Sequence, residues 1–321
     1  MCHWIRPSEL ATKQSIWNAS HSIGAGLISV ICGFLLKHYG YSAWQLCFAV
    51  PAAIALVGAV ALFFTLKDTP SSVGLPEIED MNKDEKSEDK TSDASLADNM
   101  SGKSFKSFVN RMVFANPLIW ILAVSNFCIY VVRFTILDWG ATFLTQYKGM
   151  EISTAGTVVA ASELVGGIAG MLLAGWFTDK FMKSRAHRTC CICTVGATLS
   201  FFLFWKSPAG MPWLSAIFIC LSSFFIYGPQ ALLGTSASQQ ATKHACATAN
   251  GILGIFGYAS TAISGVTFGY LAEHFGWDSV FLVSVIIGLV GAAVVAFMWK
   301  APADGYAKAE KVMAEITGTE K

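Results

Sequence analysis

The chain has 321 residues, of which 54% are hydrophobic and only 13% are charged, against roughly 25% charged in an average soluble domain. So little charge cannot cover a water-facing surface of this size, and the apolar residues fall in long runs, which excludes an ordinary soluble fold and points to a membrane protein. A net charge of +1 excludes the strongly basic face that a nucleic-acid partner needs.

The N-terminus, MCHWIRPSELATKQS, lacks the basic start and short apolar core of a signal peptide. About 20 apolar residues are needed to cross a hydrocarbon core of about 30 Å. Eight stretches qualify: 15–36, 42–66, 117–137, 154–177, 188–205, 212–234, 244–271 and 279–299. They predict an all-α membrane protein, a helical bundle of eight spans. Between the second and third spans lies EIEDMNKDEKSEDKTSDASLADN, whose polar, low-complexity composition reads as a flexible linker. The expected organisation is therefore 1–66 with two spans, a charged linker at 67–116, a six-span bundle at 117–300 and a tail at 301–321. The nine cysteines sit singly or in one cluster (Cys190, Cys191, Cys193) in or beside apolar runs, with no second ligand pair at zinc spacing. They read as small lipid-buried hydrophobes rather than a disulfide or metal framework.

Basic residues set the orientation. With residue 1 inside, 18 of the 22 Lys and Arg fall on the cytoplasmic side, three (Lys37, Lys148, Lys206) fall on the other, and Arg133 lies within a span. This bias places both termini and the linker in the cytoplasm. An internal repeat adds to this: GFLLKHYGYSAW at 33–44 and GYLAEHFGWDSV at 269–280 match at Gly33/Gly269, Leu35/Leu271, His38/His274 and Gly40/Gly276, an offset of 236 residues. Duplication is one way transporter folds are built. Applied to the six-span half, the offset puts the start of its partner about 120 residues before Met1, so a twelve-span protein minus its first four helices is expected.

Charges at membrane depth cost at least ~2.5 kcal/mol each on insertion scales and so mark function. His21, Arg133, Asp138 and Glu163 qualify. Arg133 carries a permanent charge and five donors suited to an oxyanion, and Tyr130 shares its helical face. The alternatives are an ion pair with Glu163 or snorkelling to the interface. His21, in WNASHSIGAG, either donates to an anion and titrates near neutral pH or is a neutral bridge between helices. Tyr227 precedes Gly228-Pro229, which breaks the backbone ladder and turns the hydroxyl toward a cavity. Tyr258 lies among Gly251, Gly254 and Gly257, and the repeat puts His21 opposite the Gly257-Tyr258 pair. The loop GWFTDKFMKSRAHR places Asp179 and Lys180 as a pair able to latch helix ends in one conformer of an alternating carrier. Serine-hydrolase, zinc-protease, P-loop and dinucleotide motifs are absent, so neither a cofactor nor nucleotide hydrolysis is expected.

WNASHSIGAG, DTPSSVGLP, YVVRFTILDW, GWFTDK, FIYGPQALLG, GILGIFGY and FGWD, in this order over nearly the whole chain, resemble the organophosphate:phosphate antiporters of the major facilitator superfamily. The match begins abruptly at MCHW, which is similar to the segment after that family's fourth helix. The resemblance implies a monomeric carrier of the bacterial cytoplasmic membrane that exchanges a phosphate ester, glycerol-3-phosphate or a hexose phosphate, for inorganic phosphate. It implies that Arg133 is the phosphate-binding arginine of the C-terminal half and His21 the proton-sensitive histidine. Tyr130, Tyr227 and Tyr258 become hydroxyl donors, and Glu163 the acidic residue of the eighth helix. The family's second arginine belongs to the first four helices and has no position here. A sugar-phosphate sensor would share the same site, and an inactive truncated carrier is a third reading.

Overall fold

In the computed structural model, which describes residues 3–67, 69–76, 102–208 and 210–317, every regular element is helical. The helices are α1 (Leu10–Tyr39), α2 (Leu46–Thr65), α3 (Gly102–Val109), α4 (Pro117–Gln146), α5 (Ile152–Ala161), α6 (Ile168–Phe181), α7 (Ala186–Lys206), α8 (Pro212–Phe275), α9 (Trp277–Ala296) and α10 (Tyr306–Thr317). A π-helical turn, Ser162–Gly167, joins α5 to α6 into one continuous span.

Among the described residues, six helices are long and apolar enough to cross a membrane. One of them, the 64-residue α8, is two helices meeting at Thr242, whose φ of 62° and ψ of 173° break the ladder. α1 is 30 residues long but more polar, since its first half is Thr-, Ser- and Asn-rich. With α1 and both arms of α8 counted, the passes agree with the eight read from the sequence. The sequence predicts a loop between 234 and 244, whereas the first arm runs on to the break at Thr242. The tail ties this end: Gly305 donates its N–H to the Gln239 carbonyl at 2.9 Å, supplying a donor that a helix C-terminus lacks, and the Gln240 side chain donates through Nε2 to the Pro302 carbonyl at 2.9 Å.

α4 opens as its residues dictate. The Asn116 side chain accepts from the Leu118 N–H at 3.3 Å, and Pro117 takes the first position, where a missing N–H costs nothing. The internal repeat reappears as geometry. Gly40 and Gly276 end their helices at φ/ψ of 79°/166° and 78°/170°, a left-handed φ that glycine adopts without strain. Two turns of ring stacking match as well, His38 on Phe34 at 5.9 Å and His274 on Tyr270 at 4.1 Å.

The linker expectation is corrected at one end. Residues 77–101, with the whole of the acidic stretch, lie outside the described residues, but 102–114 is helical and packed. Phe108, Met112 and Val113 are buried, at the spacing of one helical face. They lie against α10 within the cluster that includes Ala309, Val312 and Met313, and Arg111 pairs with Glu315. The tail is thus helical over Tyr306–Thr317.

At the opposite end of the bundle a clasp joins three helices. Lys148, buried, donates to the Trp205 carbonyl at 3.1 Å and to the Ser207 carbonyl, closing the C-terminus of α7. Asp278, at the start of α9, accepts from Trp205 Nε1 at 2.6 Å and from the Tyr147 hydroxyl at 3.2 Å. Burial pushes the Lys148 ammonium below its usual pKa, and the Asp278 carboxylate partly opposes this. Lys148→Met leaves two carbonyls without their donor and is expected to lower stability by about 1–3 kcal/mol. Thermal unfolding of the detergent-solubilised chain measures this, and an unchanged midpoint would remove the clasp from the fold's support.

Candidate functional site

Arg133 lies near the middle of α4 with 8% of its surface exposed. Three aromatic rings enclose its guanidinium, at 5.6 Å (Tyr130), 5.3 Å (Phe134) and 5.1 Å (Tyr227) from the ring centroids. A cation over desolvated ring faces gains from their quadrupoles. Its Nη2 donates to the Tyr227 hydroxyl at 3.3 Å, and its Nε is buried with no hydrogen-bond partner. Arg133 therefore does not snorkel, and its hydrogen-bond partner is Tyr227, not the Glu163 carboxylate.

Tyr227 is fully buried in the first arm of α8, two residues before Pro229. Its ring lies 3.1 Å from where a Cβ on Gly167 would sit, so it packs on the π turn that carries Glu163. The Tyr227 hydroxyl also interacts with the Glu163 carboxylate, which feels the charges of Arg133 and Asp138. Arg133, Tyr227 and Glu163 thus form a row from α4 across α8 to the α5–α6 span. π turns are rare and concentrate at functional sites. Tyr130 extends the row the other way, meeting Tyr258 edge-on at 6.3 Å. Tyr258 is 69% exposed and sits at the open rim. The second arm is drawn in at Gly257, where a Cβ would lie 2.8 Å from Asn126 Nδ2, and Asn126 donates to the Leu253 carbonyl at 2.7 Å. His21, on the exposed side of α1, is near enough to feel the Arg133 charge. Six sequence-selected residues thus face one region. Phe134, which sequence reasoning missed, joins them, as does the charge of Asp138, which the sequence marked only as a charge at membrane depth.

The gate expectation needs correcting. Asp179 latches, but not with Lys180. Its Oδ2 accepts from the Thr12 N–H and from Thr12 Oγ1, each at 2.7 Å, so it caps the first turn of α1, where the helix dipole favours an anion. Lys180 instead lies over the rings of Trp176 and Phe181, at 4.9 and 5.7 Å. One turn before Asp179 on α6, Gly175 lets the backbones touch: a Cβ there would lie 2.5 Å from Ser15 Oγ and 2.8 Å from the Ala11 carbonyl. Thr12 and the closing role of Ser184, which lies 3.1 Å from Asp179 Oδ1 and 3.2 Å from the Ser8 carbonyl, depend on tertiary contact that no local signal announces. Asp179→Asn removes the charged acceptor, and hydrogen bonds to ionised groups are about twice as strong as neutral ones. The expected result is several-fold faster maleimide labelling of a cysteine placed at buried Ser15; an unchanged rate would mean that Asp179 does not hold α1 to α6.

A multi-pass helical bundle of this length and hydrophobicity, with a caged arginine buried between its spans, is a polytopic membrane protein. The Major Facilitator Superfamily profile matches residues 1–265, and the chain belongs to that superfamily. Within it, the chain is 32% identical over 305 residues to a probable hexose phosphate transport protein of Chlamydia trachomatis, covering 94% of this chain and 66% of that protein. It is also 32% identical to the glycerol-3-phosphate transporter of Bacillus subtilis, over 93% of this chain and 66% of the relative. The membrane sensor protein UhpC of Salmonella typhimurium is 30% identical, over 90% of this chain and 63% of the sensor. The chain thus spans somewhat less than two thirds of the length of these relatives, and they are the organophosphate branch that its motifs resemble.

Proposed function

We propose that this protein serves the exchange of a small phosphate ester, glycerol-3-phosphate first and a hexose phosphate second, for inorganic phosphate across the bacterial cytoplasmic membrane, with both termini inside. One observation carries the reading: Arg133, buried and caged, keeps a donor unused by the protein and has the hydroxyls of Tyr130 and Tyr227 nearby, with Tyr258 against Tyr130. A dianionic phosphate is the ligand such a site stabilises. The mechanism follows from charge. An empty cationic site resists closure, whereas a bound dianion neutralises it and lets the helices around it approach, so the carrier reorients when loaded. Arg133 and the tyrosines bind the phosphoryl oxygens, His21 adds a donor when protonated, and Glu163, held through Tyr227, offsets the arginine charge when the site is empty. The phosphate gradient supplies the work, and a monomer suffices.

The test is counterflow in proteoliposomes loaded with phosphate. Uptake of labelled glycerol-3-phosphate that stops when internal phosphate is omitted supports the proposal. Running the 321-residue chain beside the same chain joined to four upstream spans tests whether the site needs two complete bundles, as the repeat equivalence of His21 with the Gly257-Tyr258 pair suggests. The similarity to membrane sensor proteins favours one second reading, a phosphate-ester receptor. Ligand binding by calorimetry without any counterflow would favour it.

A further inference from the structure

We propose that Cys32 and Cys47 form a reversible disulfide that staples α1 to α2 near the outward end of the hairpin. The two cysteines face each other across antiparallel helices. The Cys32 thiol lies 3.6 Å from the Cys47 carbonyl and the Cys47 thiol 3.9 Å from the Cys32 carbonyl, and the thiols interact with each other. Reciprocal contacts of this kind bring the two side chains within reach of each other, and a disulfide spans about 4.4–6.8 Å between Cα atoms. The sequence alone gave each thiol the role of a small hydrophobe, because residues 15 positions apart in two different helices show no pairing signal.

The position gives the bond a purpose. α2 has no buried residue, and it packs chiefly on α1. Nothing else described in the fold fixes the angle of that hairpin at this end, whereas the other end of α1 is held by Asp179. Both cysteines are partly accessible, and Cys47 is the second residue of α2, close to the turn at Gly40–Gln45. With the orientation set by the basic residues, this turn lies on the oxidising side, where disulfides persist. The reaction requires a protein disulfide as oxidant. The Cys47 thiolate attacks one sulfur of that disulfide and forms a mixed disulfide, releasing the other sulfur as thiolate. The Cys32 thiolate then attacks the Cys47 sulfur and displaces the second oxidant thiolate. The cysteine pair loses two electrons, the oxidant gains them, and the two thiol protons end on the reduced oxidant.

The experiment uses the full chain expressed in a bacterial membrane. Thiols are blocked with N-ethylmaleimide in intact cells, and the protein is digested without reductant and analysed by mass spectrometry. A second sample, purified in detergent and reduced, is treated with an oxidised dithiol protein. The expected result is a linked Cys32–Cys47 peptide in both samples, lighter by two hydrogens than the reduced pair, with loss of maleimide at both residues and its recovery after dithiothreitol. Cys32→Ser restores labelling of Cys47, and Cys47→Ser that of Cys32. A linked peptide in neither sample overturns the facing geometry. A linked peptide in detergent alone overturns the staple as a modification of the native protein and counts against the orientation. Neither result depends on whether the protein carries phosphate esters.

Discussion

Arg133→Lys is expected to weaken phosphate-ester binding by roughly 10- to 100-fold, the loss of one charge-assisted hydrogen bond worth about 1.5–3 kcal/mol. The charge survives, but the planar fork that grips two oxygens does not, and an ammonium cannot lie flat among three rings as the guanidinium does. Tyr227→Phe keeps the ring and removes only the hydroxyl that Arg133 bonds, so it should cost less, about tenfold. Calorimetric titration of both variants with glycerol-3-phosphate and with inorganic phosphate makes the comparison. Wild-type affinity in Arg133→Lys would take Arg133 out of the binding site and leave it as a packing residue of the aromatic cage.

Gly170→Ala is expected to cripple folding, although alanine is the better helix former by about 1 kcal/mol. A Cβ on Gly170 would lie 2.0 Å from the Phe224 carbonyl oxygen and 2.8 Å from its carbon. These are backbone atoms, so relief requires moving α8 away from α6. Gly166, one turn earlier, makes the same approach to Cys220, and such small-residue seams are how membrane helices pack. Overpacking here should exceed the usual ~1–3 kcal/mol, seen as loss of the monodisperse peak in size-exclusion chromatography of the solubilised chain. Gly254→Ala is the control: nothing lies within 4 Å of a Cβ there, and the change should be neutral or slightly stabilising. Equal tolerance of both would mean that the α6–α8 crossing is looser than these contacts require.

Much of the fold was legible because a membrane reads length and hydrophobicity directly, and the spans differ from their sequence limits mainly by helical ends that run past the apolar core. What escaped had physical reasons. The break at Thr242 has neither Gly nor Pro, and the β-branched residue with positive φ follows Gln239 and Gln240, which are bonded to Gly305 and Pro302 some 60 residues away. The helix over 102–109 hid behind the acidic stretch before it, although Phe105, Phe108 and Met112 keep helical spacing. Within the site, Arg133 and Tyr130 were visible because charge and hydroxyl share a face, and Tyr227 because Pro229 marks it. Phe134 was invisible, as one more phenylalanine in an apolar run. Lys148 was counted only as a loop charge, because the carbonyls it closes lie 57 and 59 residues later.

The π turn at Ser162–Gly167 sets the phase of its span. A regular helix advances about 100° per residue, and a π turn absorbs one residue more than regular winding would, so the azimuth of everything before it is shifted relative to everything after. Here that shift lets two demands coexist on one rod: Glu163 points toward Tyr227, while Gly166, Gly170 and Gly175 line up for the first arm of α8 and for α1. Deleting a single residue from the turn would restore ordinary winding and keep the span intact in the bilayer, yet it would rotate the carboxylate away from its row. The charge of the site is thus tuned by a register offset, separately from the packing that holds the bundle together.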